Sequence, residues 1–276
     1  MNGAARSRSF SQIMNTPAQC QRKVIGYARR QIRHRLAGNL HAHRLLWLLM
    51  SGLFAVVAEG QDVKSNALTG QEILLRMAKA YATCESYFDL GVVKIVFIEK
   101  DGNRVTTKPF ATAFVRPNHF RYQYEDNRSE GEALVYIIWA NGNEVQTWWD
   151  VNPGIQKKRN LESAVAGATG VSGCSAHNAP AMLLPDRIGG RKLSQLSDAK
   201  RVEDDKVNGF DCFRIRGKEG DDVTVLWIDK RTYLLRRIKS DSKFSDFRTE
   251  ETTSYHAAFN RRITDKMLEF NPPKRK

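Results

Sequence analysis

Cys174 and His177 lie three residues apart in a loop of small residues, a spacing that could set a thiol beside its base. Ser172, in Gly170-Val-Ser-Gly173, approaches the serine-hydrolase elbow without matching it, and no strand-turn-helix pattern surrounds it. Such pairs arise by coincidence in small-residue loops, and Asp204-Asp205 and Asp221-Asp222, beside turns, read as solvated acids. No phosphate-cradling glycine motif occurs, and no CxxC or HxxxH spacing accompanies the cysteines. Catalysis therefore finds no residues to attach to, and neither a metal nor a cofactor is expected. The stronger chemical signal is aromatic. Trp139, Trp148, Trp149 and Trp227 all fall in strand-like segments, offering large surfaces with few directional demands.

The elements that would hold them begin with a helix. Thr69-Gly-Gln-Glu72 fits a capping box, after which Ile73, Leu74, Met77, Ala78 and Tyr81 share one face. From Tyr87 the period becomes two: Val93, Ile95 and Phe97 alternate with Val92, Lys94 and Val96. Asp101-Gly102-Asn103 marks a turn, a second strand runs from Val105 to Arg116, and a third sets Phe120, Tyr122 and Tyr124 opposite Arg121, Gln123 and Glu125. Such alternation predicts one buried and one wet face. Leu134 to Ala140 is nearly all apolar, Asn141-Gly142 is a hairpin signal, and Glu144 to Asp150 returns. Residues Asn160 to Pro185 break the pattern with a short helical run near Leu161 and an apolar cluster at Met182, Leu183 and Leu184. Strands resume over Asp198 to Glu203, Phe210 to Arg216, Asp222 to Asp229, Tyr233 to Ser240 and Phe247 to His256. About ten strands, an initial helix and a helical interruption predict one antiparallel sheet curled over inserted helices.

Residues 1 to 58 hold nine Lys or Arg and no acid, ending in the apolar run Leu45 to Ala58. A basic approach, a short apolar stretch and small residues at Ala58 and Gly60 are the grammar of a secretory signal. The run has 14 residues, whereas a bilayer-crossing helix needs about 20. Cleavage, with a mature chain from about Gln61, is expected; the alternative is a membrane anchor formed by uncleaved Leu45 to Ala58. Removing the leader takes the net charge from +14 to 35 basic against 29 acidic residues, about +6. That disfavours a nucleic-acid partner. Cys84, Cys174 and Cys212 remain, an odd number, and the sequence does not select a pair.

The segments Phe114 to Asp126 (FVRPNHFRYQYED) and Trp227 to Arg237 (WIDKRTYLLRR), with DCFRIRG, YHAAFN and MLEFNPP, taken with the first helix, resemble the periplasmic lipoprotein-carrier superfamily of LolA and LolB. The resemblance spans Leu68 to Pro273. It implies a mainly β fold with helices: an open antiparallel half-barrel of about ten or eleven strands forming residues 61–276, its concave face covered by an N-terminal helix and inserted helices. It also implies a periplasmic or equivalent envelope location. The implied partners are lipid or lipoprotein acyl chains, with a membrane-bound partner protein possible, and the alternative role is a non-catalytic envelope sensor. A curled sheet must fill its hollow with side chains, helices or a guest. Val93, Ile95, Phe97, Phe114, Phe120, Tyr122, Trp139, Trp148, Met182, Leu183 and Trp227 are the expected apolar cavity residues. Gly167, Gly170 and Gly173 would loosen a lid over them.

Overall fold

A computed structural model describes residues 68–126 and 133–274 of the chain. The basic leader, its apolar run and Cys20 lie outside the described residues, as do the expected signal peptide and anchor.

Helix α1 (Gly70–Thr83) starts where the sequence places it. Thr69 Oγ1 accepts from the Glu72 N–H at 3.2 Å, and Glu72 accepts from the Thr69 N–H at 2.8 Å. Its stripe of Ile73, Leu74, Met77 and Tyr81 is fully buried. Five strands follow as a meander: β1 (Ser86–Glu99), β2 (Gly102–Val115), β3 (His119–Asp126), β4 (Leu134–Asn141) and β5 (Glu144–Trp149), with the short β6 (Gln156–Lys157) at its edge. Next come α2 (Leu161–Thr169), α3 (Ser175–Leu183) and a 3-10 turn (Leu193–Gln195). A second meander comprises β7 (Ser197–Val207), β8 (Phe210–Glu219), β9 (Asp222–Asp229), β10 (Leu235–Lys243) and β11 (Arg248–Tyr255). A short β12 (Ala258–Phe259) and α4 (Asp265–Leu268) complete the described chain.

All strand pairings are antiparallel, in the order β6-β5-β4-β3-β2-β1-β11-β10-β9-β8-β7, with β12 also pairing β1. The sheet is an open half-barrel of 12 strands, the ten long ones within the expected ten or eleven and the two-residue β6 and β12 added to them. Because β6 and β7 are opposite edges yet neighbours in sequence, the chain between them must cross a face of the sheet. It crosses the concave one: α2 packs on β4 and β5, α3 on α1 and α2, and α1 on β7 and β8. No described helix is long and apolar enough to cross a membrane.

One core fills this concave side. Phe110 lies flat on Gly91, where a Cβ would sit 2.1 Å from the ring, and meets Tyr255 edge-on at 5.5 Å. Tyr122, Tyr124 and Tyr136 continue the aromatic bed across β3 and β4, the last pair stacked at 5.9 Å. The β9–β10 hairpin is pinned by a buried ion pair, Asp229–Arg236 at 2.7 Å. Asp229 also accepts from the Arg231 and Thr232 N–H groups. Burial opposes ionisation there, but Arg236 and those two amides outweigh it and hold the carboxyl below its ordinary range. Cys84, Cys174 and Cys212 are all free thiols.

Candidate ligand-binding site

The register assigns each expected cavity residue to a face. Val93, Ile95 and Phe97 of β1, Phe114 of β2, and Phe120 and Tyr122 of β3 share the concave face, and Met182 and Leu183 of α3 point down onto the core there. They do not surround a hollow. Val93, Phe114, Tyr122 and Leu183 are fully buried, and Phe120 and Met182 nearly so. Ile95 is partly covered, and Phe97 sits at the rim under the Arg104 guanidinium, 3.8 Å from its ring.

Three tryptophans lie on the opposite, convex face, against expectation. Trp139 pairs across from Arg121 and donates its indole N–H to the Leu268 carbonyl at 2.7 Å, beneath the C-terminal segment that holds α4. Trp148 pairs with Ile137 and bonds Asp150. Trp227 pairs with Arg214, forms a separate small cluster with Val207 and Cys212, and donates to Asp205 at 3.0 Å. The concave tryptophan is Trp149, 5.7 Å from Tyr136. The physical reason is that β4 and β9 carry apolar residues on both faces, Ile137 beside Ile138 and Trp227 beside Ile228, so hydrophobicity does not mark their inner side.

The helical crossing rests on the aromatic bed through both small and large side chains: Ala164, Ala168, Ala176, Ala179 and Ala181 are buried in it, with Leu161, Val165, Met182 and Leu183. Polar ties fasten it. Lys108 donates to the Val171 carbonyl at 2.6 Å, Tyr122 bonds Ser175 Oγ at 2.7 Å, and Arg116 donates to the Leu183 carbonyl at 3.0 Å. Ser172 is part of this scaffolding, its Oγ accepting from the Ala176 N–H. Gly173 has φ +59, and a Cβ there would lie 2.8 Å from Val93, so the bend between α2 and α3 sits directly on the sheet. Beneath the lid, buried Asp89 accepts from Tyr87 and, at 3.0 Å, from the Thr112 N–H. Burial pushes its carboxyl up to about 7 against those hydrogen bonds.

Beside the bend, between α3 and the inner faces of β9, β10 and β11, a pocket of about 410 Å³ remains open. Most of its lining residues carry polar groups, but its surface is mixed, with Ile238 and Leu193 among the apolar contributors. Three carboxylates reach it, Glu219, Asp222 and Glu251, together with the hydroxyls of Thr224, Ser240 and Thr249. Arg191 is committed to Glu219 at 3.2 Å. Burial pushes Glu251 up to about 7, Lys108 pulling the other way and Glu219 adding to the rise. Cys174 and His177 meet here too, yet not as nucleophile and base. Burial, then Glu251 and Glu219, push the thiol up to about 11, and His177 Nε2 is bonded to the Arg191 carbonyl at 2.8 Å. Among the described residues no group of His, Cys, Asp and Glu is arranged to hold a metal.

Solved structures similar to this chain include a LolA superfamily protein. That protein, from Nitrosomonas europaea, is 9% identical with a TM-score of 0.28, over 74% of this chain and 98% of its own. A DUF1329 family protein from Desulfovibrio piger is 12% identical with a TM-score of 0.34, over 73% of this chain and 96% of its own. MucB, solved in complex with MucA(peri), is 12% identical with a TM-score of 0.39, over 73% of this chain and 60% of its own. No protein-family model matches the chain. No curated protein matches it either.

Glu219 and Glu251 escaped the sequence reading, whereas Cys174, His177 and Asp222 appear in it in other roles. Glu219 and Glu251 sit in strands whose polar residues occupy both faces, and Asp222 looks like any acid beside a turn. The signal that finds them is register: Glu251 pairs with Ile95, one step along from Val93 opposite Thr253, so it must share the concave side.

Proposed function

We propose that this chain is a non-catalytic binding protein of the cell envelope that holds an amphiphile, its head in the polar pocket and its apolar chain beneath α2 and α3. The supporting observation is the lid over the aromatic bed, whose buried residues include five alanines beside Leu161, Val165, Met182 and Leu183, and which is hung on a few polar ties. Each buried alanine contributes roughly one methyl group of apolar contact, so the lid holds less tightly along its alanines than at its larger side chains. A chain of about ten methylenes sliding beneath it recovers about 8 kcal/mol gross at roughly 0.8 kcal/mol each. Before association costs that is about micromolar affinity, which suits loading and release. Expected ligands are lipids or lipoprotein acyl chains, and a membrane-bound partner would supply or receive them.

Purified chain stripped of lipid should bind dodecanol or a lysophospholipid with a saturable change in Trp149 emission. Organic extracts of gently purified protein should contain a co-purified amphiphile. The absence of a signal with every alkyl ligand, together with an extract free of lipid, would end the proposal.

A further inference from the structure

We propose that the convex face of the second meander, continued onto β1, is a docking surface for an anionic lipid bilayer. The inference stands apart from the amphiphile reading, since it concerns the opposite face of the sheet and holds whatever the pocket takes. It starts from register. Followed across the strands from β1 to β7, one convex row reads Lys94, Thr252, Lys239, Val225, Arg216 and Lys200. Four of these six residues are cations and none is an acid. At about 4.8 Å between neighbouring strands the row is about 24 Å long. The next row, two residues along, adds Arg237 and Arg214 on either side of Trp227. Arg216 and Lys200 are even direct cross-strand partners, a like-charge pairing that opposes sheet stability.

Neighbouring acids do not neutralise this belt. Asp205 lies 3.9 Å from Arg214, and Asp241 and Glu250 share Lys239 at 4.0 and 3.7 Å. Lys94, Lys200, Arg216 and Arg237 enter no ion pair among the described residues, and the first three are exposed. Arg237 holds its guanidinium 5.5 Å from the Trp227 ring, and its Nε is buried without a partner.

A second, independent feature stands at the end of the β10–β11 hairpin. Phe244 and Phe247 stack there at 4.5 Å while 55% and 36% exposed, beside Lys100 and Lys243. Aromatic rings next to cations suit the boundary between headgroups and acyl chains, where the rings leave water and the charges stay with phosphate. A folded acidic protein fits less well, because the buried centre of a protein interface is depleted of charge and the centre of this belt is charged. A soluble polyanion would account for the belt and not for the phenylalanines.

The test is co-sedimentation of the chain from Gln61 with phosphatidylcholine vesicles, with and without phosphatidylglycerol. All described residues lie beyond that cut, and the leader, basic and apolar, would bind membranes by itself. Binding should require phosphatidylglycerol and fade as salt rises from about 0.01 to about 1 M, over which the screening length shrinks from about 30 to about 3 Å. Each cation near an anionic surface contributes about fivefold in affinity, so Lys200→Gln with Arg216→Gln should weaken binding about 25-fold. Lys157→Gln with Arg159→Gln removes the same charge from exposed positions at the β6 edge and should leave binding unchanged. Phe244→Ser should weaken binding by a factor that does not depend on salt. Equal binding to vesicles lacking phosphatidylglycerol, or equal losses in the two paired variants, overturns the belt. A Phe244→Ser chain that binds vesicles as tightly as the wild type, or soluble polyglutamate that displaces the vesicles, overturns the bilayer as occupant.

Discussion

Asp89 allows the buried interior to be tested by proton linkage alone. Its carboxyl is fully buried among tyrosines, with an ordinary value of 3.8 raised to about 7 by the loss of water. The folded state therefore binds a proton more tightly than the unfolded state, and folding stability declines as pH rises from the lower value to the higher. About three units correspond to about 4 kcal/mol in full, of which about 2.5 kcal/mol falls between about pH 5 and about pH 8. Urea unfolding of residues 61–276 across that interval should show the decline. Asp89→Asn keeps an acceptor for the Thr112 N–H and a donor for the Tyr87 oxygen, removes the charge, and should flatten the curve. Glu251 titrates in the same window from the pocket, so Glu251→Gln in parallel separates the two contributions. A wild-type chain whose stability is level from about pH 5 to about pH 8, or an Asp89→Asn chain that declines in parallel with it, would refute the reasoning.

Arg236→Ala strands Asp229 as a buried unpaired charge and should cost about 3–5 kcal/mol near neutral pH. Because the Asp229 pKa is depressed, the pair's contribution is present above the unfolded value and lost as pH falls through the folded one, so wild type and variant should converge in acid denaturation. Lys108→Met releases the loop carbonyl of Val171 while keeping the apolar stem. It should speed ligand exchange on the order of tenfold in stopped-flow displacement, since a charge-assisted hydrogen bond is worth about 1.5–3 kcal/mol. Trp149→Phe should abolish the fluorescence response to ligand and Trp227→Phe should preserve it, which a titration of each checks directly. Trp139→Ala should leave affinity unchanged but expose the segment around Leu268 to limited proteolysis.

The first meander was legible because its strands alternate. Phe120, Tyr122 and Tyr124 lie inward and Arg121 and Gln123 outward, as the period of two requires. The capping box fixed the start of α1 for an equally local reason. Trp139, Trp148 and Trp227 were illegible because parity in a strand with two apolar faces is decided by what lies on each face. The cover over Trp139 is the Leu268 carbonyl, 129 residues away in sequence. The polar pocket was hidden by the opposite situation. From Arg248 to Tyr255, charged and hydroxyl residues fill both faces of β11, and only its pairing with Val93 and Ile95 reveals which carboxylate turns inward.

The position of the pocket follows from the topology. Two meanders joined along β1 and β11 leave β6 and β7 at opposite edges, so the intervening chain has to span the hollow. On the side of β4 and β5 that span is helical and close, because alanines let α2 lie flat on the tyrosines. At Gly173 it bends sharply against Val93 and turns into α3, which leans toward α1 rather than toward β10 and β11. The stretches of those two strands that carry Ser240, Thr249 and Glu251 on their inner face then border the pocket, while Ile238, Thr253 and Tyr255 stay buried. Apolar residues there would be exposed to water for no gain, whereas Ser240, Thr249 and Glu251 tolerate it. The same break that interrupts the lid thus accounts for both the opening and its polarity, and it sets the polar mouth beside the alanine-covered bed where an amphiphile would need them.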